Sequence, residues 1–327
     1  MSLDTYLQMF AQLNRAPGSI WTEATLKRAP HKPILLLSII DLVSRGVFDS
    51  PVLSVADDLV EANELFNGYW RRVAPLGHTS SIAFPFSRLH NEPFWTLVST
   101  SGEPIEPAVL NSITNVTQLR KYAVAAQVDE ELFRFMQIAE SREALRNTLL
   151  MSCFSTEARA SLSEQIAIND EAYVYSQVLY EKAHQPLVKD IVDTDSYKSA
   201  VRDQGFRRVV VAAYDHRCAL CGLRIITPEG HTAVDAAHIV PWSKSQNDDV
   251  RNGMALCKLC HWAFDRGMVG VSRDYNVIAS RQIGVDPNVP GMLQTMAGRG
   301  VLSPADRELW PAQDFLGWHR KEFRLNA

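Results

Sequence analysis

The stretch that decides the fold begins at Cys218-Ala-Leu-Cys221, passes through Val234-Asp-Ala-Ala-His238-Ile-Val-Pro-Trp-Ser and ends at Cys257-Lys-Leu-Cys260-His-Trp-Ala-Phe-Asp265. Two Cys-x-x-Cys pairs stand in it with 35 residues between them. Four thiolates on two tight turns suit a closed tetrahedral zinc site. The alternatives are unrelated cysteine pairs in a core, or a redox dithiol, for which the usual strand–helix–strand pattern is absent. The spacing therefore predicts a structural zinc ion.

Three polar residues are interleaved with these cysteines. His238 lies between the two pairs, Asn252 follows fourteen residues later, and His261 comes directly after the second pair. Hydrolysis of a phosphodiester needs a general base for water, and neutral histidine suits that role near pH 7. It also needs a divalent cation to neutralise the charge that develops on the phosphate. The set is therefore a candidate hydrolytic site.

Together these motifs resemble the HNH nuclease family, whose fold is the ββα-metal motif. The resemblance covers about residues 200–280 and rests on Ala-Ala-His-Ile-x-Pro, Asn-Gly-x-x-Leu-Cys and His-x-x-Phe-Asp-x-Gly. It implies that His238 is the general base and that Asn252 holds the backbone that orients it. It further implies that His261 binds a catalytic Mg²⁺ or Mn²⁺ ion, separate from the structural zinc.

The second protein ligand of the catalytic ion is less directly indicated. Many family members place Asp or His immediately before the base, where this chain has Ala237. Asp235, three residues before His238, is then the candidate ligand, although it could instead brace the hairpin. Asp265 is expected to cap or brace the end of the helix.

Two stretches stand out in the first 160 residues. In Arg28-Ala-Pro-His31-Lys32-Pro33, a histidine and a lysine precede an apolar run that is predicted to form a buried helix. In Ala83-Phe84-Pro85-Phe86-Ser87-Arg88, aromatic rings, a proline and a guanidinium come together. The plainer alternatives are core packing for the aromatic residues and a helix-start motif for His31 and Lys32.

These stretches, ahead of an HNH-like segment, resemble the sulfur-binding domain of restriction endonucleases that recognise phosphorothioated DNA. Sulfur is larger and less hydrated than oxygen, so a shallow apolar cup can hold it at little desolvation cost. The resemblance implies a cup made by Phe84 and Pro85, with His31, Lys32 and Arg88 at its rim to hold the phosphate charge.

Composition indicates a globular chain. The 327 residues carry a net charge of −4 and 46% hydrophobic residues, which suggests two domains. Residues 200–327 carry 16 basic and 13 acidic side chains, whereas residues 161–199 are acidic, which weakly favours a nucleic-acid partner for the C-terminal part. Without a signal-peptide pattern or a long apolar run, a cytoplasmic location is expected. The fifth cysteine, Cys153, is expected to pack as a small apolar residue.

The predicted fold class is α+β, with a mostly helical N-terminal domain and a C-terminal ββα-metal domain that contains the four-cysteine zinc site. The domains are predicted at 1–160 and 200–327, joined by a helical linker at 161–199 that could carry a dimer contact. Helices are predicted at 2–14, 33–43, 55–72, 129–150, 157–183 and 200–215, and strands at 82–86 and 94–98.

These patterns predict a metal-dependent restriction endonuclease that acts on double-stranded, phosphorothioated DNA and works as a homodimer. Basic residues near the nuclease motifs are expected to contact phosphates: Arg207, Arg208, Arg217, Lys244, Arg251, Lys258 and Arg266. The cluster from Tyr69 to Arg72 could also contact DNA. Two alternatives remain open: an HNH endonuclease directed to methylated, hydroxymethylated or unmodified DNA, and a zinc-stabilised DNA-binding protein without cleavage.

Overall fold

The computed structural model describes residues 1–55, 59–187, 198–227, 230–281, 283 and 292–325. Contacts divide the chain into an N-terminal unit, Met1–Ala167 with Thr227–His231, and a C-terminal unit, Ile168–Ile226 with Thr232–Ala327. Each unit has its own hydrophobic core. Helices and short antiparallel sheets occur together, so the predicted α+β class is confirmed.

The N-terminal unit is mostly helical around one small sheet. Its elements are α1 (Leu3–Ala11), α2 (His31–Ser44), β1 (Val52–Ser54), α3 (Leu59–Val73), α4 (Ala83–Arg88), β2 (Trp95–Ser99), α5 (Pro107–Ser112), α6 (Val116–Tyr122), β3 (Ala123–Val128), α7 (Glu130–Gln137), α8 (Ala139–Cys153) and the first part of α9 (Thr156–Ala183). The three strands are antiparallel in the order β1-β3-β2.

Helix α2 is the centre of this unit. Its residues from Ile34 to Val43 are buried on every face, as the continuous apolar run predicts. Helices α3, α4, α7 and α8 all pack against it. The helix begins at His31, two residues earlier than predicted, so His31 and Lys32 lie in its first turn.

The segment 82–86 was predicted to be a strand, and that prediction is wrong. It lies in helix α4 and the turn before it, whereas β2 agrees with the predicted strand at 94–98. Pro85 is the third residue of α4, a position where the helix needs no N–H from it. The indole of Trp95 donates a hydrogen bond to the carbonyl of Phe86 (3.0 Å), which ties α4 to β2. Tertiary packing therefore overrides the strand preference of the aromatic residues.

The C-terminal unit contains a two-stranded hairpin followed by a helix. Its elements are the remainder of α9, α10 (Ser199–Ala213), β4 (Val234–His238), α11 (Trp242–Ser245), β5 (Gly253–Cys257), α12 (Lys258–Asp265), β6 (Val269–Val271), β7 (Val277–Ala279), α13 (Met292–Thr295) and α14 (Gln313–Glu322).

Strands β4 and β5 pair antiparallel, with His238 opposite Gly253 and Val234 opposite Cys257. Helix α12 follows β5 without a connecting loop, and α10 packs on both strands. This is the strand–strand–helix order that the sequence motifs predict. It places the end of β4 and the first turns of α12 side by side.

None of the helices in the described part of the chain combines the length and apolar character that a bilayer crossing requires. The prediction for Cys153 agrees with the structure, because its side chain is 1% exposed within the N-terminal core.

Candidate active site

The two Cys-x-x-Cys pairs converge. The four sulfur atoms of Cys218, Cys221, Cys257 and Cys260 all lie within 4.8 Å of one another, and the Cys221 and Cys257 Sγ atoms are 3.7 Å apart. Tetrahedral zinc with Zn–S bonds of about 2.3 Å separates its sulfur ligands by about 3.8 Å. A hydrogen bond from Cys260 holds the pKa of the Cys218 thiol below its ordinary value. The cluster therefore fits one structural metal ion.

His238 stands at the end of β4. Its ring stacks on Phe206 of α10, with centroids 4.0 Å apart and an interplanar angle of 8°. Its Nε2 lies 2.8 Å from Oδ1 of Asp248, a buried carboxylate in the loop between α11 and β5. The ring is thus held on two sides. Asp248 stands in the polar run Ser-Gln-Asn-Asp-Asp, and no motif or spacing in the sequence distinguishes it from the acid beside it.

Asn252 braces the loop that follows His238. Its side-chain amide donates to the carbonyls of Val240 (3.1 Å) and Asn247 (2.9 Å), and its Oδ1 accepts from the Val240 amide (2.9 Å). The side chain is completely buried. These contacts hold the backbone at Val240 and Asn247 in place.

A cleft of about 320 Å³ opens beside His238, and His261 and Asp265 of α12 also line it. These two residues are one helical turn apart, with His261 Nε2 3.5 Å from Asp265 Oδ2. Burial raises the pKa of Asp265, an effect that the charges of His261 and Arg266 partly offset. An imidazole and a carboxylate this close suit a divalent cation that completes its shell with water and phosphate oxygens.

Asp235, the predicted second ligand, does not face this cleft. Side chains alternate along a strand, so Asp235 points to the face opposite His238, while Ala236 lies on the cleft side. Asp235 instead accepts a hydrogen bond from Arg207 Nε at 2.9 Å, which is the bracing role named as its alternative. Asp265, expected only to cap or brace its helix, is the acid that the structure brings to the cleft.

A second cavity, of about 210 Å³, lies in the N-terminal unit between the start of α2 and helix α4. All five residues of the predicted sulfur cup line it: His31, Lys32, Phe84, Pro85 and Arg88. Asn14, Arg15 and Asn91 add polar groups at its edge. Residues far apart in sequence are therefore brought to one concave surface.

His31 belongs to an aromatic cluster behind this cavity. Its ring centroid lies 4.7 Å from those of Trp70 and Phe84, and 5.3 Å from that of Trp21. Burial, with smaller contributions from His78 and Arg88, lowers the pKa of His31 to about 3. The imidazole is therefore neutral near pH 7, so at the predicted rim it is a hydrogen-bonding group rather than a cation.

Lys32 reaches Glu92, a residue that the sequence analysis did not single out. Its Nζ lies 2.5 Å from Oε1 of Glu92, and both side chains are buried. The same carboxylate oxygen accepts a hydrogen bond from the backbone amide of Asn14 (3.2 Å). The lysine charge at the cavity is therefore balanced from within the protein.

Arg88 is a second cation of the predicted cup, and carbonyl groups rather than an acid hold it. Its guanidinium lies over the ring of Phe84, 4.6 Å from the centroid, and donates to the carbonyls of Leu110 (2.6 Å) and Asn111. Burial lowers the pKa of Arg88, which nevertheless stays charged. One side chain thus joins the aromatic wall to the C-terminal end of α5.

The cluster from Tyr69 to Arg72 is divided between core and surface. Tyr69 is fully buried and donates to Asp41, and the indole of Trp70 donates to the carbonyl of His78 (2.7 Å). Neither ring is available to stack on DNA. Arg72 is partly exposed and contacts Glu164 and Gln165 of α9.

A protein-family model described as HNH endonuclease matches residues 218–272, the segment that contains the cysteine cluster, His238, Asn252 and His261. These residues form an HNH endonuclease domain. A search of curated proteins finds no match to the chain.

Two solved structures resemble parts of the chain. The first, "Modification dependent TagI restriction endonuclease", is 21% identical over 40% of each chain, with a TM-score of 0.29. The second, "Sulfur binding domain of SprMcrA complexed with phosphorothioated DNA", is 19% identical and covers 52% of this chain and 96% of that one, with a TM-score of 0.39. The chain thus spans less than half of the first structure and nearly all of the second.

Residues beyond the family match complete the cleft of the HNH domain. Trp318 and His319 of α14 line it, together with Phe323, the residue directly after that helix. His319 stacks on Phe264, with centroids 3.7 Å apart, and its Nε2 lies 3.0 Å from the Phe264 carbonyl. Burial lowers the pKa of His319 to about 4, so the ring is neutral near pH 7. The C-terminal helix is therefore part of the nuclease unit.

Several basic residues expected to contact DNA are held by acidic residues of the HNH unit. The pairs are Arg207 with Asp235, Arg217 with Asp215, Lys244 with Glu322 and Arg251 with Asp249. Arg208 lies over the ring of Tyr173, whereas Lys258 and Arg266 are exposed. A cation that is paired with an acid attracts a phosphate less strongly. Lys258 and Arg266 are therefore the stronger candidates for DNA contacts.

Proposed function

We propose that this chain is a metal-dependent DNA endonuclease whose N-terminal unit binds phosphorothioated DNA. The observation that carries the nuclease proposal is the convergence of His238, His261 and Asp265 on one cleft in a domain that matches the HNH family. The proposed substrate is double-stranded DNA. A DNA-binding protein without cleavage is the less favoured alternative, because the candidate base His238 and the candidate metal ligands His261 and Asp265 line the same cleft.

His238 is the proposed general base, and His261 and Asp265 are the proposed holders of a Mg²⁺ or Mn²⁺ ion. That ion, when bound, neutralises the charge that develops on the scissile phosphate and the leaving oxygen. His238 takes a proton from the attacking water. Asn252 keeps the loop after His238 in place, and the four cysteines hold a structural zinc ion that fixes the start of α12.

Sulfur recognition is proposed for the cavity between α2 and α4. Phe84 and Pro85 offer an apolar surface to a sulfur atom, and Arg88 offers charge to the remaining phosphate oxygens. An oxygen placed against the same surface would lose hydrogen bonds to water, which costs about 1–3 kcal/mol. We therefore expect roughly 10- to 100-fold tighter binding of the sulfur-bearing duplex.

Matched duplexes with and without one phosphorothioate of natural stereochemistry test both proposals, in gel-shift and cleavage assays with Mn²⁺. We expect binding and cutting of the sulfur-bearing duplex alone. His238→Ala should keep binding and lose cutting, and Phe84→Ala should lose the preference for sulfur. Arg71→Ala, which removes an exposed cation outside the cavity, is the control for general charge effects.

Three outcomes would contradict parts of this proposal. Equal cutting of both duplexes would remove sulfur recognition, and methylated and hydroxymethylated duplexes would be tested next. Binding without cutting in Mg²⁺ and Mn²⁺ would favour a DNA-binding protein. We also propose that two copies act together to cut both strands. Sedimentation that showed one copy on the sulfur-bearing duplex would contradict this.

A further inference from the structure

We propose that Asp248 is the positioning residue for His238: it fixes the imidazole ring so that Nδ1 is the nitrogen that accepts the proton from water. The inference rests on the proposed nuclease function, and it adds a residue that neither the sequence motifs nor the family match identify. The geometry of one buried carboxylate carries it.

Both oxygens of Asp248 are engaged. Oδ1 lies 2.8 Å from His238 Nε2, while Oδ2 accepts hydrogen bonds from Tyr175 Oη (3.0 Å) and from Arg202 Nε (3.0 Å). The side chain is 1% exposed. Partners on α9, on α10 and at the end of β4 thus hold one carboxylate in one orientation, because rotating it would break several bonds at once.

Asp248 is ionised in this setting. Burial acts to raise its pKa, but the hydrogen bond from His238 and the charges of His238 and Arg202 outweigh it, so the pKa lies below its ordinary value. An ionised carboxylate only accepts hydrogen bonds. The nitrogen that faces it, Nε2, must therefore carry the hydrogen, and in the neutral ring the lone pair is then on Nδ1.

One face of the His238 ring is also fixed. Phe206 stacks on His238 nearly parallel, so the imidazole cannot flip without displacing a core side chain. A flip about the Cβ–Cγ bond would exchange Nδ1 with Cδ2 and Nε2 with Cε1, so that a carbon atom would face the carboxylate. Stacking and the Asp248 contact together keep Nε2 toward the carboxylate and leave Nδ1 for the substrate side.

Arg202 is the cation beside Asp248. Arg202 lies between Asp248 and the ring of Trp242, whose centroid is 3.9 Å from the guanidinium carbon. With His238 neutral, Asp248 and Arg202 balance each other, and the phenol of Tyr175, whose pKa is raised by burial, stays protonated. When His238 accepts a proton, the adjacent carboxylate stabilises the new cation.

The test compares Asp248→Asn with the wild type in steady-state cleavage and in NMR of ¹⁵N-histidine-labelled protein at pH 8. We expect kcat to fall by about 100-fold or more, with KM for the duplex nearly unchanged, because the ring loses its fixed tautomer. We expect the wild-type His238 signal to report hydrogen on Nε2, and the variant signal to report a mixture. His238→Ala assigns that signal.

Asp306→Asn is the matched control. Asp306 and His184 form another Asp–His contact of the same unit, at 2.9 Å, but both side chains are more than one-third exposed. This variant should keep both kcat and the His238 signal. An effect of Asp248→Asn that Asp306→Asn shared would be a general loss of charge rather than positioning.

Two results would overturn the proposal: hydrogen on Nδ1 of His238 in the wild type, or an Asp248→Asn variant with unchanged kcat and tautomer. If Asp248→Asn does not fold, the wild-type tautomer still decides. A wild type that does not cut would refute the nuclease function, whereas the NMR measurement would judge the Asp248 assignment separately.

Discussion

The ammonium of Lys32 lies 2.5 Å from the carboxylate of Glu92, and each side chain is less than one-tenth exposed. A buried ammonium of this kind depends on its counter-ion, because their mutual attraction offsets the loss of hydration. The pair lies at the wall of the proposed sulfur cavity. The pair places an ammonium at the cavity wall, but it is neutral as a whole and so adds no net charge that would attract any DNA backbone.

Removing one member of this pair should destabilise the N-terminal unit. Glu92→Gln leaves a buried ammonium without its counter-ion, so we expect the free energy of unfolding to fall by about 3–5 kcal/mol. Hydrogen exchange of α2 measures this change. Replacing both residues, with Lys32→Met and Glu92→Gln, should recover most of the loss. Equal exchange in the wild type and the single variant would show that the pair contributes little.

Gly253 should not tolerate a side chain. A Cβ there would lie 2.7 Å from Val210 Cγ2 and 2.8 Å from Phe206 Cζ. Phe206 is the ring that stacks on His238, so Gly253→Ala should displace it. We expect a loss of about 1–3 kcal/mol in stability and slower cleavage. Thermal unfolding and single-turnover assays measure both effects.

Gly317→Ala is the matched control for that substitution. Gly317 lies in α14, and the nearest atom to an added Cβ is the end of the Arg320 side chain at 3.6 Å. Alanine favours a helix over glycine by about 1 kcal/mol, so this variant should be as stable as the wild type or more so. If both variants behaved alike, crowding at Gly253 would not be the cause.

Metal removal should unfold the C-terminal unit. Elemental analysis is expected to find one zinc ion per chain. Chelation, or Cys257→Ser, should abolish cleavage even when Mn²⁺ is supplied, because structural zinc typically contributes about 10–16 kcal/mol of apparent binding energy. Cys153→Ala, which alters the buried cysteine outside the cluster, should keep its zinc. Full activity in a zinc-free sample would contradict this role.

Acid should weaken the N-terminal unit through His31. Its pKa is about 3 in the folded chain and 6.5 ordinarily, so between these values the unfolded chain binds a proton that the folded chain excludes. Stability therefore falls as the pH drops below about 6.5, by about 2 kcal/mol at pH 5. Thermal unfolding from pH 8 to pH 5 should show this loss in the wild type. His31→Phe should reduce it, and equal pH dependence would refute the assignment.

The four-cysteine site could be predicted because its chemistry is encoded in spacing, whereas the strand–strand–helix order is implied only by the resemblance to HNH nucleases. Cys257, Cys260 and His261 must follow one another closely if one tight turn is to hold two sulfurs and present an imidazole, and the structure has this arrangement. The cavity residues could be named only through the resemblance to sulfur-binding domains, because Phe84, Pro85 and Arg88 by themselves are equally compatible with core packing.

The partners of those residues could not be predicted. Asp248 and Glu92 are acids in polar stretches, where most acids are solvated, and only the tertiary fold buries them against His238 and Lys32. Asp235 was chosen over Asp265 by its distance in sequence from His238. The alternation of side chains along β4 turns Asp235 away from the cleft, whereas one turn of α12 brings Asp265 to His261.

Cys260 and His261 are adjacent residues of the same turn of α12. Peroxide or another thiol oxidant that released the metal would free that turn and displace the imidazole with it. Cys153, the cysteine of the N-terminal unit, is buried in the core. Burial raises the pKa of its thiol to about 11, so this thiol reacts poorly with oxidants. Under the proposed function, oxidation would therefore abolish DNA cleavage before it affected DNA binding, and the oxidised chain would stay on its target sites without cutting them.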